Sequence, residues 1–197
     1  MGIRPTPEEQ LETLYEVLDA GLIQSWAVAV DGGANIGDWS AVMSRRFSRV
    51  IAFEPNEAVI GKLRANLAGF GNVDIRQKAL FREPCRGVML NPPKRQTSTS
   101  AFLRPNGAGD VEAVTIDSLD LPSCGLIKLD LEGGEFDAVL GARETIKAHR
   151  PVVICEVNRH AKQYGRSPGQ VTDLLTKLGY EIAMHRGEDI VFKWGRA

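Results

Sequence analysis

The sequence predicts an α/β protein: a doubly wound, seven-stranded, mostly parallel sheet with an N-terminal helix and a hairpin-like insertion. Three observations predict it. Short apolar runs alternate with helix-period segments in the order β-α-β-α-β from Trp26 onward. The runs are apolar at successive positions, as in strands buried on both faces of a parallel sheet. A glycine-rich stretch, "DGGANIGDWS" at 31–40, joins the first run to the first following helix. Open α/β sheets place their ligand loops at that edge.

Each element can be justified in turn. "TPEEQLETLYEVLDAGLI" opens with Thr6 as a capping hydroxyl, then Pro7 and two glutamates, which is a helix start. Leu11, Leu14, Leu18 and Leu22 recur at helical spacing, so this helix packs one stripe on the domain. "WAVAVD" is the first strand, "DWSAVMSRRF" a helix and "RVIAFEP" the second strand. "NEAVIGKLRANLAGFG" is the next helix, with Ala58, Leu63 and Leu67 on one side and Gly69 and Gly71 at its end. "VDIRQKAL" is the third strand. The pattern then breaks between residues 85 and 116. There "GVMLN" and "VEAVTI" read as short strands around a polar tip at Asn91 to Ser100, a hairpin-like insertion. The β/α order resumes with "GLIKLDLEGGE", the helix "FDAVLGARETIKAH", the strand "PVVICEVN" and the helix "PGQVTDLLTKLG". "YEIAMHR" and "DIVFKW" close the sheet as two strands joined at Gly187. Residues 1–24 form the N-terminal helical segment and 25–197 the main domain.

Composition narrows the function. The 197 residues are 43% apolar and 25% charged, with a formal net charge of -1. That is enough apolar material for one core, and it carries none of the basic excess of a nucleic-acid binder. Cys85, Cys124 and Cys155 form no C-x-x-C pair, so neither a disulfide framework nor a zinc site is expected. Cys155, inside "PVVICEV", reads as a small buried hydrophobe, and a reducing cytoplasm suits all three. No run reaches the length of a membrane span. "MGIRPT" matches the loose myristoylation pattern, which recurs by chance in so short a form. The oligomeric state is left open, a homodimer included.

The candidate site gathers at the carboxyl ends of the strands. Gly33 and Gly37 permit positive φ and close approach of backbone to a ligand. The helix start after them offers free N–H groups to an anionic group. The spacing Asp31, Gly33, Asn35, Gly37 is D-x-G-x-N-x-G, not the G-x-G-x-x-G of a dinucleotide site. Glu54 ends the second strand, where an acid can accept hydrogen bonds from both hydroxyls of a ribose. "IKLDLEGGE" crowds Lys128, Asp130, Glu132 and Glu135 at one strand end, the first three expected on one side of the strand. Such charges are costly unless paired or functional, and Lys128 suits the neutralising role. Glu156 adds an acid at the next strand end, and His160 follows it.

Together "VDGGANIGDWS", "IAFEPN", "VTIDSL", "IKLDLEGGEFDAVLGA" and "PVVICEVN" resemble the FkbM-type methyltransferases, class I enzymes that use S-adenosylmethionine. The resemblance runs from about Val30 to the last strands. It departs at Gly32, where the family more often has an apolar residue. The resemblance implies that Gly33, Asn35 and Gly37 wrap the methionine part of the cofactor and that Asp31 orients the loop or binds the amino group. Glu54 would hold the ribose, Lys78 and Ala79 would flank the adenine, and Asp130 would lie near the sulfonium. Asp130, Glu132, Glu156 and His160 are the candidates for removing a proton from the acceptor. A metal-assisted variant, using Asp130 and Glu156 with magnesium, stays open, although no ligand spacing demands a metal. The implied reaction is O-methylation of a hydroxyl on a small molecule, sugar or lipid/glycan. Two other classes compete: a nicotinamide-dependent oxidoreductase and a catalytically silent methyltransferase-like binding module. The first lacks its glycine fingerprint, and the second predicts a damaged loop where Gly33, Asn35, Gly37 and Glu54 stand intact. A nucleic-acid methyltransferase lacks support: "NPPK" at Asn91 puts lysine where an aromatic ring should stack.

Overall fold

A computed structural model describes residues 7–90 and 101–195. Thr6, the tip 91–100 and the N-terminal hexapeptide lie outside those residues. Helix α1 (Pro7–Asp19) leads into strand β1 (Val28–Gly32), α2 (Asp38–Met43), β2 (Arg49–Phe53), α3 (Glu57–Leu67) and β3 (Val73–Arg76). β4 (Ala79–Leu80), β5 (Cys85–Leu90), β6 (Phe102–Pro105) and β7 (Val111–Val114) follow. The chain continues through β8 (Leu126–Leu129), α4 (Glu135–Leu140), α5 (Arg143–His149), β9 (Val152–Glu156), α6 (Gly169–Lys177), β10 (Tyr180–Arg186) and β11 (Asp189–Trp194).

The main sheet has seven strands in the order β10-β11-β9-β8-β1-β2-β3. β1 is parallel to both β2 and β8, and β9 continues that direction, while β11 runs antiparallel to β9 and β10. The strand order turns back between β1 and β8, so the switch point lies at the end of the glycine loop. Alternation along the strands explains the continuous apolar runs. Val28 and Val30 face one core with Ile127, Leu129, Val139, Ile146 and Phe192. Ala29 faces the other, with Leu14, Val17, Leu18, Met43 and Leu126. The α1 stripe is therefore real, and burying Leu14, Val17 and Leu18 contributes roughly 1.5–3 kcal/mol each. All three cysteines are free, and Cys155 is fully buried as a core residue.

Four local expectations change. The third strand is not continuous: Lys78 N–H donates to Arg76 O at 2.9 Å, and β4 leaves the main sheet to pair with β7. The insertion is more than a hairpin, since β4, β7, β5 and β6 form a second four-stranded sheet that includes "FLRP". The helix over 136–149 breaks at Gly141, where a Cβ would sit 2.2 Å from the Phe81 carbonyl oxygen. Beyond that break, Asp117 reaches across to cap α5, accepting from Glu144 N–H at 3.1 Å and Thr145 N–H at 2.8 Å. Finally, β8 ends at Leu129, so strand alternation does not carry Asp130 and Glu132 to one side with Lys128. Glu132 instead occupies a left-handed turn at φ 53°.

Candidate active site

The glycine loop is built by its neighbours. Gly33 and Ala34 N–H both donate to Phe53 O, at 3.0 and 2.9 Å, which ties the loop to β2. Gly33 has φ +76°, and a Cβ there would meet the Asp130 carbonyl oxygen at 1.9 Å. That close approach to the end of β8 is why glycine is required. Asn35 also adopts a left-handed φ of 51°, which asparagine tolerates. A Cβ on Gly37 would press on Leu63 and Leu67 of α3. Gly37 thus serves packing behind the loop rather than its open face.

Beneath the loop lies a buried ion pair. Asp31 is fully buried and accepts from Ser40 Oγ at 2.6 Å. Lys128 Nζ sits 3.2 Å from Asp31 Oδ1, donates to Gly33 O at 2.9 Å, and lies 3.8 Å from Asp130 Oδ2. Burial alone would discharge this lysine, but Asp31 and Asp130 overcome that and hold its pKa above the ordinary lysine value. Sequence position alone already suited Lys128 to neutralisation, and the geometry gives it a second task as a strut between β1 and β8.

Glu54 accepts from Asn35 N–H at 2.9 Å through Oε2 and from Asn56 N–H at 2.8 Å through Oε1. Burial raises its pKa, and these two amide bonds work against that. Each oxygen keeps a further lone pair for a ligand hydroxyl. Asn35 Oδ1, buried beside it, has no hydrogen-bond partner among the described residues.

A cavity of about 620 Å³ opens above these groups. Gly33, Asn35, Glu54, Lys78, Ala79 and Asp130 line it on the loop side. Lys78 Nζ forms an ion pair with Glu112 at 2.6 Å. Asp31 and Gly37 stand behind the wall and support it. At the other end the wall contains Glu132 and Glu156, with Glu188 and Asp189 from the β10–β11 hairpin. His160 does not reach the wall; its Nδ1 backs Glu132 Oε2 at 2.6 Å. Burial, followed by Asp130, Glu135, Glu132 and Glu188, pushes the Glu156 carboxyl well above the carboxylate range. Burial and Asp130 raise Asp189 to about 6. Glu135 lies under the floor, accepting from Leu131 N–H at 2.6 Å and Gly133 N–H at 3.2 Å, and burial raises it to about 7.

Sequence reasoning passed over Glu188, Asp189 and Tyr164, which also line the cavity. The signal for the first two was their place at the hairpin turn beside Gly187. Nothing in the sequence showed that this turn folds back beside the end of β9.

The fold is shared with known structures. The FkbM methyltransferase structure from Methylobacillus flagellatus KT superposes with a TM-score of 0.61 at 19% identity, covering 89% of this chain and 46% of that one. A putative RNA methyltransferase from Pyrococcus horikoshii superposes with a TM-score of 0.56 at 14% identity, covering 98% and 87%. Sheet order, the one reversed strand and these superpositions thus define a Rossmann-like α/β fold, a fold class shared with methyltransferases. Within that class the chain belongs to the FkbM methyltransferase family, whose domain model matches residues 31–182. Among curated proteins it is similar to the hexuronic acid methyltransferase AglP of Haloferax volcanii, at 26% identity over 82% of this chain and 67% of the relative. It is also 24% identical to part of the AMB antimetabolite synthetase AmbE of Pseudomonas aeruginosa, over 81% of this chain but only 10% of that protein. No helix among the described residues is long and apolar enough to cross a membrane.

Proposed function

We propose that this methyltransferase uses S-adenosylmethionine and methylates a hydroxyl oxygen of a small molecule or glycan, most simply a sugar. One observation carries the reading: a single cavity joins the Asn35–Glu54 wall to a carboxylate-lined end. The donor chemistry of the first wall fits the cofactor. Asn35 Oδ1 is a buried acceptor without a hydrogen-bond partner among the described residues, suited to an ammonium or hydroxyl donor. Glu54, fixed by two backbone amides, has lone pairs left for ribose hydroxyls. Lys78 and Ala79 border the space where an adenine would lie.

The cofactor supplies an electrophilic methyl on a cationic sulfur; transfer to an alcohol leaves a neutral thioether and releases the alcohol's proton. The chain has to hold the acceptor oxygen and take up that proton. Asp130 serves as the proton acceptor. It lines the cavity, its side chain is 46% exposed, and it can pass the proton on to solvent. The sugar acceptor is supported by the similarity to the hexuronic acid enzyme. The free cysteines suit a cytoplasmic setting.

Calorimetric titration tests the reading. S-adenosylmethionine should bind and NAD(H) should not. A well-folded sample that gives no heat with S-adenosylmethionine would sink it.

A further inference from the structure

At the far end of the cavity three side chains from separate segments converge. Glu132 stands in the turn after β8, Glu156 ends β9, and His160 lies in the 3-10 turn Arg159–Tyr164. One ligand atom of each lies within 4.8 Å of the others. We propose that Glu132, Glu156 and His160 bind a divalent metal ion of the Mn2+ type beside the acceptor.

The spacing suits one ion. Metal–ligand bonds of about 2.1 Å put adjacent ligand atoms about 3 Å apart and opposite ones about 4.2 Å apart. His160 Nδ1 and Glu132 Oε2, now 2.6 Å apart, need only a small opening to become adjacent ligands. The donor set selects the metal. Two carboxylates favour a hard cation, an imidazole favours a transition metal, and Mn2+ accepts both. No thiolate joins the set, which argues against structural zinc. Glu132 and Glu156 line the cavity while His160 stands behind, so the open coordination positions face the acceptor.

The charge balance points the same way. Asp130, Glu188 and Asp189 line the cavity with these two glutamates. The nearby cations already have partners: Lys128 holds Asp31, Lys78 holds Glu112, and Arg186 holds Glu16. Among the described residues no lysine or arginine forms an ion pair with Glu156. Clustered half-buried carboxylates are costly, and a divalent ion offsets that cost.

The ion's role rests on the methyl-transfer reading, whereas the site itself does not. There it would hold two acceptor oxygens, vicinal hydroxyls or a hydroxyl beside a carboxylate, and make the coordinated hydroxyl more acidic. It would also let an anionic sugar enter a pocket that otherwise repels it.

The test is titration of the metal-stripped full chain with MnCl2, followed by loss of the free Mn2+ signal in electron paramagnetic resonance. One ion per chain should bind. Glu132→Gln, Glu156→Gln and His160→Ala should each weaken binding about tenfold or more. Calorimetry with S-adenosylmethionine on the same variants checks that they remain folded. No Mn2+ uptake at millimolar concentration, or uptake that the three variants leave unchanged, overturns the site. A His160→Ala enzyme that loses turnover while the wild type binds no Mn2+ also overturns it, because Glu132 and His160 then act as a plain proton-transfer pair. Mn2+ binding by a chain that ignores S-adenosylmethionine would uphold the site and refute the methyl-transfer reading alone.

Discussion

Lys128→Met tests the strut beneath the glycine loop. The substitution keeps the aliphatic stem and removes the charge. Asp31 would then be left fully buried, with the Ser40 hydroxyl as its remaining polar contact among those described. Gly33 O would lose its 2.9 Å donor, whereas Gly32 O keeps the Asp130 amide at 3.1 Å. Removing one partner of a buried pair costs about 3–5 kcal/mol. Domains of this kind are stable by about 5–15 kcal/mol in total. With a urea slope of about 2 kcal/mol/M, the unfolding midpoint should fall by roughly 2 M. Tryptophan fluorescence in urea reads this directly. The double variant Asp31→Asn/Lys128→Met removes the stranded charge and should recover about half of the loss. A single variant within about 1 kcal/mol of the parent would refute the reasoning. So would a double variant no more stable than the single one.

Other consequences can be checked alongside it. Gly33→Ala places a methyl on the Asp130 carbonyl at positive φ, so it should lower stability by more than about 2 kcal/mol in the same urea assay and weaken S-adenosylmethionine binding. Glu54→Gln turns one acceptor oxygen into a donor against a backbone N–H. Its loss of a charged hydrogen bond, about 1.5–3 kcal/mol, predicts cofactor affinity down about tenfold or more by calorimetry. Burial raises the Glu135 carboxyl from the ordinary glutamate value of 4.5 to about 7, so the fold holds its proton. Its contribution is complete below the unfolded value and is lost as pH rises through about 7. In chelator-containing buffer, Glu135→Gln should therefore remove a decline of roughly 2–4 kcal/mol from the stability profile between those pH values. An unchanged profile would refute it.

Much of this was legible in the sequence, for identifiable reasons. Strands buried on both faces leave continuous runs, so "WAVAVD", "RVIAFEP" and "PVVICEVN" announced β1, β2 and β9. Glu54 was legible because its place at a strand end beside the glycine loop is fixed by the sheet itself. What stayed hidden depends on contacts distant in sequence. Nothing local shows that Phe81 backbone crowds Gly141 and splits a helix, or that Asp117 caps the second half. "VDIRQKAL" is one apolar-polar run, yet β7 captures its last two residues for another sheet. His160 could be placed after β9, but that it stands behind Glu132 instead of on the cavity wall follows from the turn at Gly133. A Cβ there would strike the His160 backbone.

The small sheet has a consequence for how such a domain can change. Met89 of β5 and Leu103 of β6 border the cavity, while Gly33, Asn35 and Glu54 hang from the main sheet. One wall of the binding chamber is therefore carried by a segment that contributes no strand to the seven-stranded sheet. Replacing the stretch between Cys85 and Pro105 with another of different length would recut that wall while the side formed by Gly33, Asn35 and Glu54 keeps its supports. The domain is in this sense a socket with an exchangeable face.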